Sequence, residues 1–487
     1  MPENQIKAPL VEALQKYSRK NPVRLHVPGH GGGRSLDPAM RRGVAPGWDV
    51  TEIEGLDDLH NAAGVIARAQ EKAAGLYGAR HTFFLVNGTT VGLHALIAAT
   101  CSEDDVLVLP RNAHRSVLGG LVISGARPVF VEPDVVPGFG FAAGFGPDKL
   151  EAVLRANCKV GAVLAVHPCY YGVVGDLAGV KEVCRRYKVP LLVDEAHGTH
   201  LRFHPDLPAD ALSLGADAVV QSVHKTGGAL TQASWLHLGS GLVERERVAG
   251  VLRLLQTTSP SYILMASLDS ARRQLAMRGG TLLTELLNVV RGAAREINTL
   301  PGLTVLGQEH LGTPGALEHD PTRLVLSVRG LGLDGHAVGC KLAESGIYVE
   351  MTDARNVVAV FPLGTGPAQA RALVQALAQI CRQPGAAESQ AGCGCAMPHP
   401  AGPPLPPQVM TPRRAWLAPQ RKVLLEEAPG RVSAEIIAVY PPGTAAIYPG
   451  EEFTPEVVEY LIQMRFRGVH HQGAADPTLC TVRVIDI

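Results

Sequence analysis

A chain of 487 residues, 46% hydrophobic and 18% charged, is long enough for two or three compact units and too apolar to be disordered over most of its length. Its 45 Lys and Arg balance 45 Asp and Glu, so net charge gives no reason to expect nucleic acid or an anionic membrane surface, and a small ligand is the better expectation. No apolar run is long enough to span a bilayer.

The N-terminal MPENQIKAPLVEALQKYSRK reads as a charged amphipathic helix rather than a signal peptide, and the expected location is the cytoplasm. From Thr82 onward, apolar runs of strand length alternate with helical patterns: TFFLV, VGLHALIAAT, DVLVLP, the segment around SVLGGLVISG, then PVFVEP. The alternation continues through AVLAVHP at 162–168, a helix near Leu177–Tyr187, and the strands VPLLVDE at 189–195, ADAVVQS at 216–222 and ASWLHLG at 233–239. This is the βαβ rhythm of a doubly wound α/β domain with a mainly parallel sheet. A helical stretch from about Leu264 to Ile297 leads to LPGLTVLG, TRLVLSVRG and NVVAVFPLG, with helices near His336–Glu344 and Gln369–Ile380. These predict a smaller α+β unit.

The expected division is an N-terminal segment and large domain over 1–270, a small α+β domain over 271–383, a Pro/Gly-rich linker over 384–412 and a C-terminal unit over 413–487. The last contains the turn-rich AVYPPGTAAIYPGEE at 438–452. The nine cysteines are scattered like free thiols, apart from Cys393 and Cys395 in the linker's GCGC. Two cysteines without two further clustered ligands make an incomplete zinc site, so no metal is expected.

The strongest chemical signal is SVHKT at 222–226, directly after the strand ADAVVQ. Strand ends in open α/β sheets face ligand crevices, and a desolvated lysine there can act as an amine nucleophile on an aldehyde. Taken alone, Lys225 is equally a surface lysine in a loop. Asp194 shifts that balance, because it ends the strand VPLLVD at the same sheet edge, where a carboxylate suits the protonated ring nitrogen of pyridoxal phosphate. His197, in DEAHG, is placed to bond the cofactor's phenolic oxygen, with a loop cap as the plainer reading. NGTT at 87–90 lies between a strand and a helix: Gly88 lets the backbone approach a phosphate, the helix start favours an anion, and Thr89 and Thr90 add hydroxyls. By itself that turn is also an ordinary helix cap. Ser222 and His224 are candidates for further phosphate contacts. His114 in RNAHRS, at 111–116, is the candidate for stacking on the cofactor ring, although a lone loop histidine is more often merely solvated.

HVPGHGGG at 26–33, DVTEIEGLDDLH at 49–60, NGTT, RNAHRS, VDEAHG at 193–198, SVHKT, TTSPSY at 257–262 and YPPGTAAIYPGE at 440–451 together resemble the Orn/Lys/Arg decarboxylases, along nearly the whole chain. The length is similar to that of the short Bacillus-type arginine decarboxylases. The resemblance implies an aminotransferase-like fold of type I, with Lys225 the Schiff-base lysine, Asp194 the ring-nitrogen partner, His114 the stacking histidine, and Thr89, Thr90, Ser222 and His224 phosphate ligands. It also implies a homodimer or higher homo-oligomer, with Thr258 and Ser259 reaching the neighbour's phosphate. One departure is visible: the family commonly has lysine after PGH, where this chain has Gly31.

Decarboxylation requires the bond from the α-carbon to the carboxylate to stand perpendicular to the cofactor plane. Lys225 and His224 are the candidates to return a proton to that carbon. A basic substrate needs an acid at the far end of the pocket, and Glu451 is the expected one, with Glu452 beside it better read as a carboxylate at a helix start. Arginine is the favoured substrate on the short architecture, followed by lysine and ornithine. The competing readings are another fold-type-I enzyme, such as an aminotransferase or lyase, and a non-catalytic homologue that binds the cofactor. Retention of both Lys225 and Asp194 speaks against the latter.

Overall fold

The computed structural model describes residues 5–20, 22, 24, 28, 32–37, 40, 45–382, 403–440 and 443–486. Gly31, Cys393 and Cys395, the linker as far as residue 402, and Pro441 and Pro442 lie outside these. The chain forms two compact units, Met1–Ala99 with Pro190–Thr284, and Thr100–Val189 with Glu285–Ile487. Among the described residues no helix is long and apolar enough to cross a membrane.

In the first unit four strands lie in the order His81–Leu85, Ser234–Leu238, Ala218–Gln221, Leu191–Asp194. The last two are parallel, with Leu192 opposite Ala218 and Asp194 opposite Val220. The last three of these runs are buried along their whole length, which is why they read as continuous apolar segments rather than as alternation. Ser234–Leu238 runs antiparallel to both neighbours, so ASWLHLG is the strand that departs from the parallel series, while His81–Leu85 beyond it points the same way as Ala218–Gln221. Alternating strands and helices give the element order but not the direction of a strand at the end of that order.

The helix Gly88–Thr100 follows the first strand and packs back on the sheet at Gly92, where an added Cβ would lie 2.8 Å from both Leu85 Cδ1 and Val220 Cγ1. The expected N-terminal helix forms over Pro9–Arg19 and buries Leu10, Val11 and Leu14. It is fastened by the fully buried Arg272, which donates to Asp269 at 2.6 Å and to the carbonyls of Gln5 and Lys7 at 2.6 and 2.7 Å. Asp269 in turn accepts the Leu10 N–H at 3.1 Å.

In the second unit the parallel strands lie in the order Val160–Val166, Val106–Pro110, Arg127–Val131, with Val108 opposite Val163 and Val129. The helix Leu177–Tyr187 begins at Asp176, whose carboxylate accepts the Gly179 N–H at 2.8 Å. An antiparallel sheet follows, in the order Met351–Thr352, Asn356–Val360, Arg323–Ser327, Thr304–Val305, with the helices Gly335–Glu344 and Pro367–Cys381. The C-terminal segment has its own core of Val423, Ile437, Ile447, Phe453, Leu461 and Met464 beneath the helix Pro455–Phe466. A smaller apolar cluster joins Leu118, Ile436, Ala438, Ala445 and Tyr448, with Phe130 packed against it.

Candidate active site

Lys225 sits in a single helical turn, Val223–Thr226, entered directly from the strand Ala218–Gln221. Asp194 ends the neighbouring parallel strand and is 6% exposed, with its Oδ1 accepting the Ala196 N–H at 3.1 Å. The turn after it carries His197, also buried, whose Nε2 stands 3.0 Å from Lys225 Nζ. An amine, an imidazole and a carboxylate therefore share one edge, because two adjacent parallel strands end there and each chain turns immediately. Beside them His224 lies against the Ala233 carbonyl at 3.2 Å. Burial pulls its pKa down, opposed by that carbonyl and reinforced by the charge of Lys225, so it favours the neutral imidazole.

NGTT opens the helix rather than preceding it. Gly88 has φ +73°, a conformation open to glycine, and its added Cβ would meet nothing within 4 Å, so the space over the helix start is clear. Thr89 Oγ1 lies 3.1 Å from Ser222 Oγ, which links this turn to the start of the Lys225 turn. Thr90 is exposed in the first helical turn. Thr258 and Ser259 are exposed as well, in a segment whose Thr257 N–H donates to Asn87 Oδ1 at 3.2 Å. The set fits pyridoxal phosphate: a helix start with clear space and two hydroxyls for the phosphate, an amine for the aldehyde, and a buried carboxylate for the ring nitrogen.

Behind this edge runs a buried chain of polar groups. Thr82 Oγ1 is 2.7 Å from His237 Nδ1, His237 Nε2 is 3.2 Å from Gln221 Oε1, and Gln221 Nε2 donates to Glu195 Oε2 at 2.6 Å. The other oxygen of Glu195 accepts the Ala211 N–H at 2.7 Å. An amide oxygen only accepts, so His237 carries its proton on Nε2 and takes the Thr82 hydroxyl proton at Nδ1. Burial pushes the Glu195 carboxyl well above its ordinary range and pulls His237 down to about 3. Glu195 fixes the turn that bears Asp194 and His197. Motif reading missed Gln221 and His237; the available signal was a polar residue inside or ending an apolar strand, VVQ and SWLHL.

The second unit holds the remaining predicted residues. His114 is exposed, with Nδ1 2.8 Å from Ser116 Oγ. Glu451 is not placed as expected. It is 1% exposed and closed in a bidentate pair with Arg111, at 2.6 and 2.9 Å, and its Oε2 also accepts the Tyr448 N–H at 2.7 Å. Arg111 further donates to the carbonyls of Ala445 and Ala446, both at 3.0 Å, and lies over the rings of Phe130 and Tyr448 at 4.5 and 5.0 Å. A carboxylate so matched has no charge left over for a substrate cation, which corrects the expected substrate contact. Arg111 is the partner that reading the sequence overlooked, although it opens RNAHRS. Glu452 pairs as an isolated bridge with Val432 ahead of the helix that begins at Pro455.

Comparison with known proteins gives this geometry its context. The model of the Orn/Lys/Arg decarboxylase major domain matches residues 8–369, and that of the family's C-terminal domain matches residues 399–472. The chain belongs to the Orn/Lys/Arg decarboxylase family. An arginine decarboxylase of Bacillus subtilis (strain 168) is 39% identical over 486 residues, 99% of this chain and 98% of that protein. An arginine decarboxylase of Halalkalibacterium halodurans is 38% identical over 487 residues, with the same shares covered. The crystal structure of a Francisella novicida lysine decarboxylase matches with a TM-score of 0.84 at 20% identity, covering 99% of this chain and 82% of that one, a likeness of fold. This Orn/Lys/Arg decarboxylase is thus a pyridoxal-phosphate-dependent enzyme of fold type I that acts on a basic amino acid.

Proposed function

We propose that the enzyme decarboxylates L-arginine to agmatine and carbon dioxide, in the cytoplasm, as a homodimer or larger homo-oligomer. The observation that carries the choice of arginine is the 39% identity to the Bacillus subtilis arginine decarboxylase over nearly the whole of both chains. The exposure of Thr258 and Ser259 supports the oligomer, since side chains expected to reach a neighbour's phosphate must face outward in the single chain. The separate core around Phe453 supports a C-terminal domain over 413–487.

Bound pyridoxal phosphate supplies an electron sink for the pair left on the α-carbon when carbon dioxide departs. In this reading Lys225 would hold the cofactor through its amine. Asp194, buried and fixed by the Ala196 N–H, keeps the ring nitrogen protonated. Gly88, Thr89, Thr90, Ser222 and His224 would hold the phosphate, and His114 is the residue that would pack the ring. His224 and Lys225 are the candidates to return a proton to the α-carbon. Glu451 serves Arg111 and leaves the substrate's far cation to another group.

The test is incubation of the purified enzyme with arginine, lysine and ornithine in competition, following the amines and carbon dioxide. Agmatine formed in preference is the expected result. Preference for cadaverine or putrescine would reassign the substrate within the family, and a keto acid in place of carbon dioxide would overturn the reading.

A further inference from the structure

The motif DVTEIEGLDDLH has no part in the chemistry just described, yet one carboxylate in it collects five backbone hydrogen bonds. Asp57 has φ +74°, and its carboxylate accepts backbone N–H groups from Asp58 and Ala63 at 3.0 Å, Gly64 at 2.7 Å, Ile66 at 2.9 Å and Ala67 at 3.2 Å. It thereby closes the N-terminus of the helix Val65–Tyr77. Asp58 accepts the His60 N–H at 2.8 Å, which sets the direction of the histidine. His60 Nε2 then lies 2.8 Å from the Thr257 carbonyl. A carbonyl only accepts, so His60 carries a proton on Nε2.

Thr257 begins TTSPSY, and the other end of that segment is pinned as well, by the Tyr262 hydroxyl donating to the Asp57 carbonyl. From Thr257 the connection passes directly to the phosphate turn. Its N–H donates to Asn87 Oδ1 at 3.2 Å, and the preceding buried Gln256 accepts the Val86 N–H at 3.0 Å. The segment that His60 holds is thus bonded to Val86 and Asn87, the two residues that lead into Gly88 and Thr89.

We infer that His60 is a positioning residue for the cofactor's phosphate, acting through the Thr257 carbonyl on Asn87 and the turn it opens. The inference rests on the reading of NGTT as the phosphate site. Asp57 and Asp58 build the loop that aims His60, and Thr257 transmits its hold. The chemistry at Lys225 is untouched by this route, so the effect falls on affinity for the phosphate group and not on reactivity of the amine.

The experiment uses full-length apoprotein titrated with pyridoxal phosphate and, separately, with pyridoxal, following absorbance, with the melting temperature of each apoprotein measured alongside. Loss of one neutral hydrogen bond in His60→Leu should weaken pyridoxal phosphate binding roughly five- to tenfold and leave pyridoxal binding unchanged. His60→Gln, whose amide can still donate to the Thr257 carbonyl, should restore most of that affinity. Asn87→Ala breaks the same route from its other end, should show the same ligand-selective loss, and stands in should the leucine variant not fold. Equal losses for both ligands, or no loss for pyridoxal phosphate, would overturn the inference. Thr89→Ala separates the two levels: if it too leaves the difference between the ligands unchanged, the phosphate-site reading itself fails.

Discussion

At the edge that bears Lys225, an amine and a carboxylate come from strands that end 27 residues apart, Asp194 and Gln221, and Lys225 remains partly open. Arg111 and Glu451 come from segments 340 residues apart and are closed on each other with almost no exposure. The residue types are similar and the uses differ. A charge whose hydrogen bonds are all taken by a buried partner holds the fold together, whereas one left beside a clear space can meet a ligand. Exposure and partners separate these roles, and residue type does not.

The sharpest break of that comparison is at Lys225. Lys225→Ala should lower decarboxylation by on the order of 10⁴-fold or more, as loss of a nucleophile does, while the melting temperature of the apoprotein stays near that of the unmodified chain. Next in size is the closed pair. Arg111→Met or Glu451→Gln alone leaves a buried group without its partner and should cost about 3–5 kcal/mol in denaturant unfolding, with a large part regained in the double variant. If Glu451 met the substrate instead, Glu451→Gln would raise KM and leave stability nearly unchanged.

His237 represents a third use of a polar side chain, buried and neutral. Its pKa is held down at about 3, against the ordinary 6.5 of an unfolded chain. The unfolded state therefore takes up the proton first. The contribution is intact above pH 6.5 and is lost as the pH falls toward 3, amounting to about 2 kcal/mol at pH 5. Unfolding curves of the unmodified chain and His237→Gln between pH 7 and 5 should converge by about that amount; parallel curves would show that His237 is not the group responsible. The smallest effect is expected at Asp176, a carboxylate that only caps a helix. Asp176→Ala should cost about 1 kcal/mol and leave the kinetic constants unchanged, which sets the baseline for a charge with a local role.

Much of this was legible in the sequence because the parallel strands are buried on both faces and so appear as unbroken apolar runs that end in chemistry-bearing turns. VDEAHG and SVHKT could be read this way, and the structure brings His197 to Lys225. The reversed direction of ASWLHLG was not legible, since direction depends on the partner strands and not on the run itself. Nor was the fate of Glu451, because only the fold brings Arg111 to it. The hold of His60 on Thr257 was hidden for the same reason, with each residue inside a motif whose partner lies far along the chain.

The central claim is that Lys225 carries the cofactor. Reducing the holoenzyme with borohydride, digesting it and mapping the pyridoxyl group by mass spectrometry tests this directly. The expected result is a single modified peptide with the added mass on Lys225 of SVHKT. A pyridoxyl group on any other lysine, with Lys225 unmodified, would contradict it.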